Sequence, residues 1–156
     1  MLATGFVVLA IDPQVEGLRS RAQRLMTQRP TTTPDLLEGA RYAAATMFED
    51  ATDVVARDPL ASSLILSQAV VKMLHFAFMK TGRFIPRDKD LLRDFEGVHP
   101  ELIPTVRSFF ESATVEERLR WAGQLADRIV GVRGFFEWSS RPEDKPAPAG
   151  TREQGT

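Results

Sequence analysis

The chain predicts an all-α fold: a four-to-five-helix up-and-down bundle with one short N-terminal strand and a disordered C-terminal tail. Three observations carry the prediction. Apolar residues recur at helical spacing through most of the chain. Helix starts are marked three times by a capping residue followed by proline, at Asp12-Pro13, Thr33-Pro34 and Asp58-Pro59. A capping box, Thr114-Val115-Glu116-Glu117, marks a further start, because the threonine and the glutamate can each satisfy a free amide at the helix end.

Bulk properties bound what such a bundle can be. With 156 residues the chain is the size of one domain, able to bury roughly 70% of its unfolded surface. Twenty basic residues stand against 21 acidic ones, for a net charge of −1 and a pI near 6.1. That balance gives no overall footprint for duplex nucleic acid or an anionic membrane. No cysteine is present, so disulfides and thiolate metal sites are excluded and the cytoplasm is the expected location. The apolar run from Gly5 to Ile11 lacks a basic flank and a cleavage site, so it reads as neither a signal peptide nor a membrane span.

Taken in order, residues 1–28 read as a strand and a lead-in helix, 29–138 as the bundle and 139–156 as the tail. Phe6 to Ile11 is rich in β-branched residues and reads as a strand whose partner lies outside this domain, because nothing else in the chain reads as a second strand. The lead-in helix follows to about Gln28, with Val15, Leu18, Ala22, Leu25 and Met26 on its apolar side. The second helix, from Pro34 to about Arg57, keeps Leu36, Leu37, Ala40, Ala44, Met47, Phe48, Ala51, Val54 and Val55 to one face. The third runs from Pro59 to near Gly82, a C′ glycine, and spans about 33 Å. Two short pieces, Asp88 to Glu96 and Pro100 to Ser112, precede a last helix from Val115 to about Trp138. After Ser139 the Pro-rich, aperiodic sequence predicts disorder.

The third helix is the most informative. It is apolar almost all the way round except for Gln68, Lys72 and His75, which fall within an arc of about 60°. Such a polar seam must meet carboxylates, a ligand, a second chain or water. If it meets a ligand, Lys72 supplies charge and His75 a directional donor; if it meets water, Lys72 simply extends to the surface. On the second helix Tyr42, Thr46, Glu49 and Asp53 share a similar arc, with Asp50 at its margin. They could contact a substrate amine or hydroxyl, or form a solvated face opposite the apolar one. Asp88-Lys89-Asp90 has the spacing of a metal-binding D-x-D, but no glycine-rich phosphate loop precedes it and it opens a helix, so it is not catalytic. No Walker loop, nucleophile elbow or zinc spacing is present, and neither a metal nor a cofactor is expected.

The helices from Asp35 to Arg57 and Leu60 to Lys80, with the tract Gly82-Arg83-Phe84-Ile85-Pro86-Arg87-Asp88-Lys89-Asp90-Leu91-Leu92, resemble the helical substrate-binding domain of minimal nucleotidyltransferases. That bundle stands at the C-terminus of kanamycin nucleotidyltransferase and belongs to the wider HEPN superfamily. Phe84, Pro86, Lys89, Leu91 and Leu92 fit an aromatic-Pro-x-x-Lys turn followed by two leucines, and Gly5 to Leu18 looks like the last strand and exit helix of the catalytic domain in such enzymes.

The resemblance implies a bundle that holds a nucleotide or small-molecule acceptor against a catalytic domain, with Glu49 in the position of a base toward the acceptor hydroxyl. The catalytic Gly-Ser loop and strand-borne D-x-D are missing. The resemblance therefore implies a non-catalytic binding or adaptor bundle whose partner is a nucleotidyltransferase subunit or a second copy of itself; the candidate substrate contacts are Tyr42, Glu49, Asp53, Gln68, Lys72 and His75 from the two helix faces and Lys89 from the turn. An interaction bundle without a ligand site is the alternative. A third is a HEPN-type ribonuclease, whose R-x(4–6)-H spacing is met by Arg93 and His99.

Overall fold

Two of the three cap-plus-proline signals open helices as expected in the computed structural model, which describes residues 14–138. The strand expected over Phe6 to Ile11, the Asp12-Pro13 start and the tail from 139 onward lie outside the described residues. Six α-helices make up the rest: α1 (Gln14–Thr27), α2 (Pro34–Val54), α3 (Pro59–Lys80), α4 (Leu91–Glu96), α5 (Ile103–Glu111) and α6 (Val115–Leu125). Among the described residues there is no strand, so the all-α class holds.

The caps account for the boundaries. Thr33 Oγ1 accepts from Leu36 N at 3.2 Å and Asp58 Oδ1 from Ala61 N at 2.9 Å, each side chain taking up an amide that has no partner within its helix. At the far end of α3, Gly82 adopts φ 63°, its N–H bonds Met79 O at 3.0 Å, and Arg83 N–H bonds Phe78 O at 2.9 Å. These paired bonds are a Schellman motif, which needs the left-handed residue that glycine supplies. Of the capping box, the threonine half is made: Thr114 Oγ1 accepts from Glu117 N at 3.3 Å.

α3 packs against both α2 and α6, and α5 packs on α6. Leu66, Ala69, Val70, Met73, Leu74, Phe76, Ala77 and Phe78 of α3 are buried, and they meet Ala44, Ala45, Phe48 and Ala51 of α2. Phe95, Val106, Phe109, Leu125 and Ile129 close the core from the other side. Alanines on the inner face of α2 let the two long helices approach closely. Ser62, fully buried, donates to Ala51 O at 2.7 Å across that interface, so its hydroxyl is satisfied without water. α3 is long and apolar enough to cross a membrane by composition alone, and 44% of its most apolar window lies buried within this bundle.

One expectation needs correction. The last helix does not run to Trp138: α6 ends at Leu125, a π-helical turn covers Ala126–Val130, and the chain then turns back. Gly131 (φ 82°) and Gly134 (φ 149°) are the cause, since both adopt backbone conformations that side-chain-bearing residues resist. The lead-in helix α1 does not bury its apolar side: none of its residues is buried, and Leu18, Leu25 and Met26 are each about half exposed.

Candidate binding site

The polar arc of α2 is only partly solvated, because the returning segment 131–138 lies along it as a strap. Arg41 Nε donates to Val130 O at 2.9 Å, and its guanidinium sits 4.7 Å from the centroid of Phe136. Tyr42 packs edge-on against Phe135 and Phe136 and, tilted, against Trp138 at 5.5 Å between centroids. Glu49 Oε2 accepts from Phe135 N at 2.6 Å. A Cβ on Gly134 would stand 3.4 Å from the Glu49 carboxyl, an ordinary contact, so it is the φ of 149° and not the space that calls for glycine here.

These contacts divide the residues proposed from the sequence. Tyr42 is a packing residue under the strap, and one carboxylate oxygen of Glu49 is engaged by a backbone amide, which is the role of an anchor and not of a free base. Beyond the strap, Glu49 and Asp53 meet α6 at a cleft of about 450 Å³ lined by Phe48, Glu49, Thr52, Asp53, Glu116, Leu119, Arg120 and Arg133. Arg133 is taken up by Asp127, Nε to Oδ1 at 2.7 Å, and that hydrogen bond holds the Asp127 carboxyl below the usual carboxylate range. Arg120 stacks on Trp121 at 4.8 Å. The side chains of Asp53 and Glu116 have no hydrogen-bond or ion-pair partner among the described residues. The cleft therefore offers two free carboxylates and part of a third, drawn from two helices.

The seam on α3 is placed elsewhere. Gln68 and Lys72 are exposed and His75 is half-buried, and none of them lines a cleft described here. Gln68 and Lys72 therefore reach the surface, one of the two outcomes the sequence leaves open, while His75 turns partly into the bundle. His75 Nε2 is buried with no hydrogen-bond partner. Burial holds its pKa below the usual value, a shift opposed by the Asp88 charge and reinforced by Lys72. Lys89 is exposed in a short 3-10 turn, Asp88–Asp90, and lines no cleft described here.

Arg93 and His99 are not brought together. Arg93 pairs with Asp90 and Asp94, at 2.9 Å each, on the wall of a cleft shared with Arg29 and Arg83. His99 lines a different cleft, where its Nδ1 lies 3.2 Å from Glu101 Oε1. The ribonuclease spacing thus gains no support from these two clefts. Among the described residues no group of three or more His, Asp or Glu side chains could hold a metal ion.

Reading along the sequence missed Glu116, Arg41 and the whole strap. The signal for the strap was present in Gly131 and Gly134, two helix breakers in a segment read as helix. In the sequence Glu116 stands only within the capping box. Family models, curated proteins and solved structures were compared with this chain, and none matches it.

Proposed function

We propose that this chain is a non-catalytic substrate-binding and adaptor bundle, acting with a nucleotidyltransferase catalytic domain on another chain or across a homodimer. Its α2–α6 cleft receives an amine-bearing acceptor. The observation that carries this reading is the convergence of Glu49, Asp53 and Glu116 on one cleft, with the Asp53 and Glu116 side chains unpartnered. Free carboxylates fixed on two packed helices attract an ammonium group and hold it at a defined spacing. The order of the helices and the Phe84-Ile85-Pro86 turn support the link to a nucleotidyltransferase partner.

Spermidine titrated into the purified chain tests the cleft. Saturable binding that weakens about tenfold in Asp53→Asn and in Glu116→Gln is expected, one charge-assisted contact being lost in each. No saturable heat at low salt overturns the acceptor reading. The adaptor role is tested by the native mass of the chain with and without the product of the neighbouring open reading frame, and a monomer in both overturns it.

One observation favours a plain interaction bundle instead. Leu60 and Leu64, one turn apart on α3, are 82% and 63% exposed. Such leucines side by side fit a face that another chain covers. A change of native mass in Leu64→Lys, with spermidine binding intact, would separate the two readings.

A further inference from the structure

We propose that the cleft at the C-terminal end of α3 binds a small phosphomonoester with a compact apolar body, independently of the α2–α6 cleft. It is lined by Ala77, Lys80, Thr81, His99, Glu101, Leu102, Arg128 and Ile129, and its volume is about 500 Å³, within the size range of small-ligand pockets. Three nitrogen-bearing side chains reach it from three separate elements: Lys80 from the last turn of α3, His99 from the turn before Pro100, and Arg128 from the π-helical turn. Lys80 and Arg128 form no salt bridge among the described residues. The single carboxylate, Glu101, is engaged by His99 Nδ1, which orients the imidazole and leaves Nε2 as its free nitrogen.

Charge and oxygen count together indicate the ligand class. Lys80 and Arg128 outnumber the single carboxylate, Glu101, so the lining is net positive and suits an anion, and two cations on separate elements can each take oxygens of a phosphoryl group, which has three to offer where a carboxylate has two. The planar fork of Arg128 matches two phosphate oxygens at once. Thr81 contributes no donor, because its hydroxyl already bonds Ala77 O and Phe78 O at 3.0 Å. Ala77, Leu102 and Ile129 form an apolar floor for the rest of the molecule.

The placement of Arg128 adds a second line of support. The Gly131 N–H bonds Ala126 O at 2.8 Å, five residues back, so the helix widens by one residue at this turn. π-turns are rare and are frequently found at functional sites. Here the widened turn places Arg128 and Ile129 on the cleft while Asp127 holds Arg133 on the other side.

Phenyl phosphate, followed by amide chemical shifts of the isotopically labelled chain, tests the proposal. Saturable shifts at Lys80, Thr81, Leu102 and Ile129 are expected. Affinity should fall at least tenfold in Lys80→Ala and in Arg128→Ala, both exposed positions whose variants keep a dispersed native spectrum, and stay unchanged in Arg57→Ala. No saturation at millimolar probe overturns the site. So does an equal response to benzyl alcohol, binding that survives both substitutions, or shifts that map instead to Arg29 and Arg83.

Discussion

Glu49 distinguishes a strap anchor from a ligand group, and Glu49→Ala separates the two roles. Its carboxylate accepts from Phe135 N at 2.6 Å. A hydrogen bond with one charged member contributes about 1.5–3 kcal/mol net. Phe135 is 65% exposed, so water replaces the lost acceptor and the expected cost falls to or just below the bottom of that range, about 1–1.5 kcal/mol. The strap keeps its other attachments, Arg41 against the Phe136 ring and the Tyr42 aromatic contacts. The loss therefore appears as local opening rather than global unfolding.

A change near 1.4 kcal/mol corresponds to about tenfold in an opening equilibrium. Amide hydrogen exchange at Phe135, Phe136 and Glu137 is thus expected to quicken about tenfold in Glu49→Ala, and only a few-fold in Glu49→Gln, which keeps a neutral acceptor. The melting temperature falls by no more than about 2–4 °C. Trp138 fluorescence in a Trp121→Phe background reports the same opening independently. Unchanged exchange across 135–137, together with loss of spermidine binding, would refute the anchor and make Glu49 a ligand group.

Three further outcomes follow from the same geometry. Gly134→Ala is expected to cost about 1–3 kcal/mol, because φ 149° belongs to a region nearly reserved for glycine; the added Cβ, 3.4 Å from the Glu49 carboxyl, adds little, and thermal melts together with exchange at Phe135 check it. Ser62→Ala removes the buried donor to Ala51 O and should lower stability by about 1 kcal/mol, read by urea titration with an unchanged m-value. His75 has a pKa held below 6.5, chiefly by burial, so its neutral form is the one the fold favours. The stability it contributes is complete above pH 6.5 and is lost as pH falls through the depressed value. His75→Leu should therefore flatten the loss of melting temperature on the acid side of 6.5 relative to the parent chain, and parallel curves for the two would refute it.

The helices were legible because their signals are local. A capping oxygen and a following proline act within one turn, which is why the starts at Pro34 and Pro59 and the cap at Thr114 stand where the chain alone places them. Gly82 worked as a stop for the same reason. At the last helix the apolar spacing of Leu119, Ala122, Leu125, Ala126 and Ile129 was followed through Gly131, although two glycines within four residues outweigh one more turn of periodicity. The clefts were harder. Glu116 lies 63 residues beyond Asp53 in number and Arg128 lies 48 beyond Lys80, and only the packing of α6 beside α2 and α3 brings each pair to one cleft.

The polar seam of α3 shows how one pattern allows two outcomes that only packing separates. A helix apolar on nearly every side implies enclosure, yet α2 and α6 cover only part of its circumference. The remaining strip runs through Leu60, Leu64, Gln68 and Lys72, at four-residue steps, and all four are exposed. Its C-terminal half is polar and needs nothing but water. Its N-terminal half is not, so the unusual feature of this face is the leucine pair and not the lysine. Replacing a leucine already in water loses almost no burial. Leu64→Gln is thus expected to leave the melting temperature of a monomer unchanged, whereas in a dimer joined through this face it lowers the native mass. If both mass and melting temperature stay constant across a wide range of protein concentration, Leu60 and Leu64 form no contact between copies.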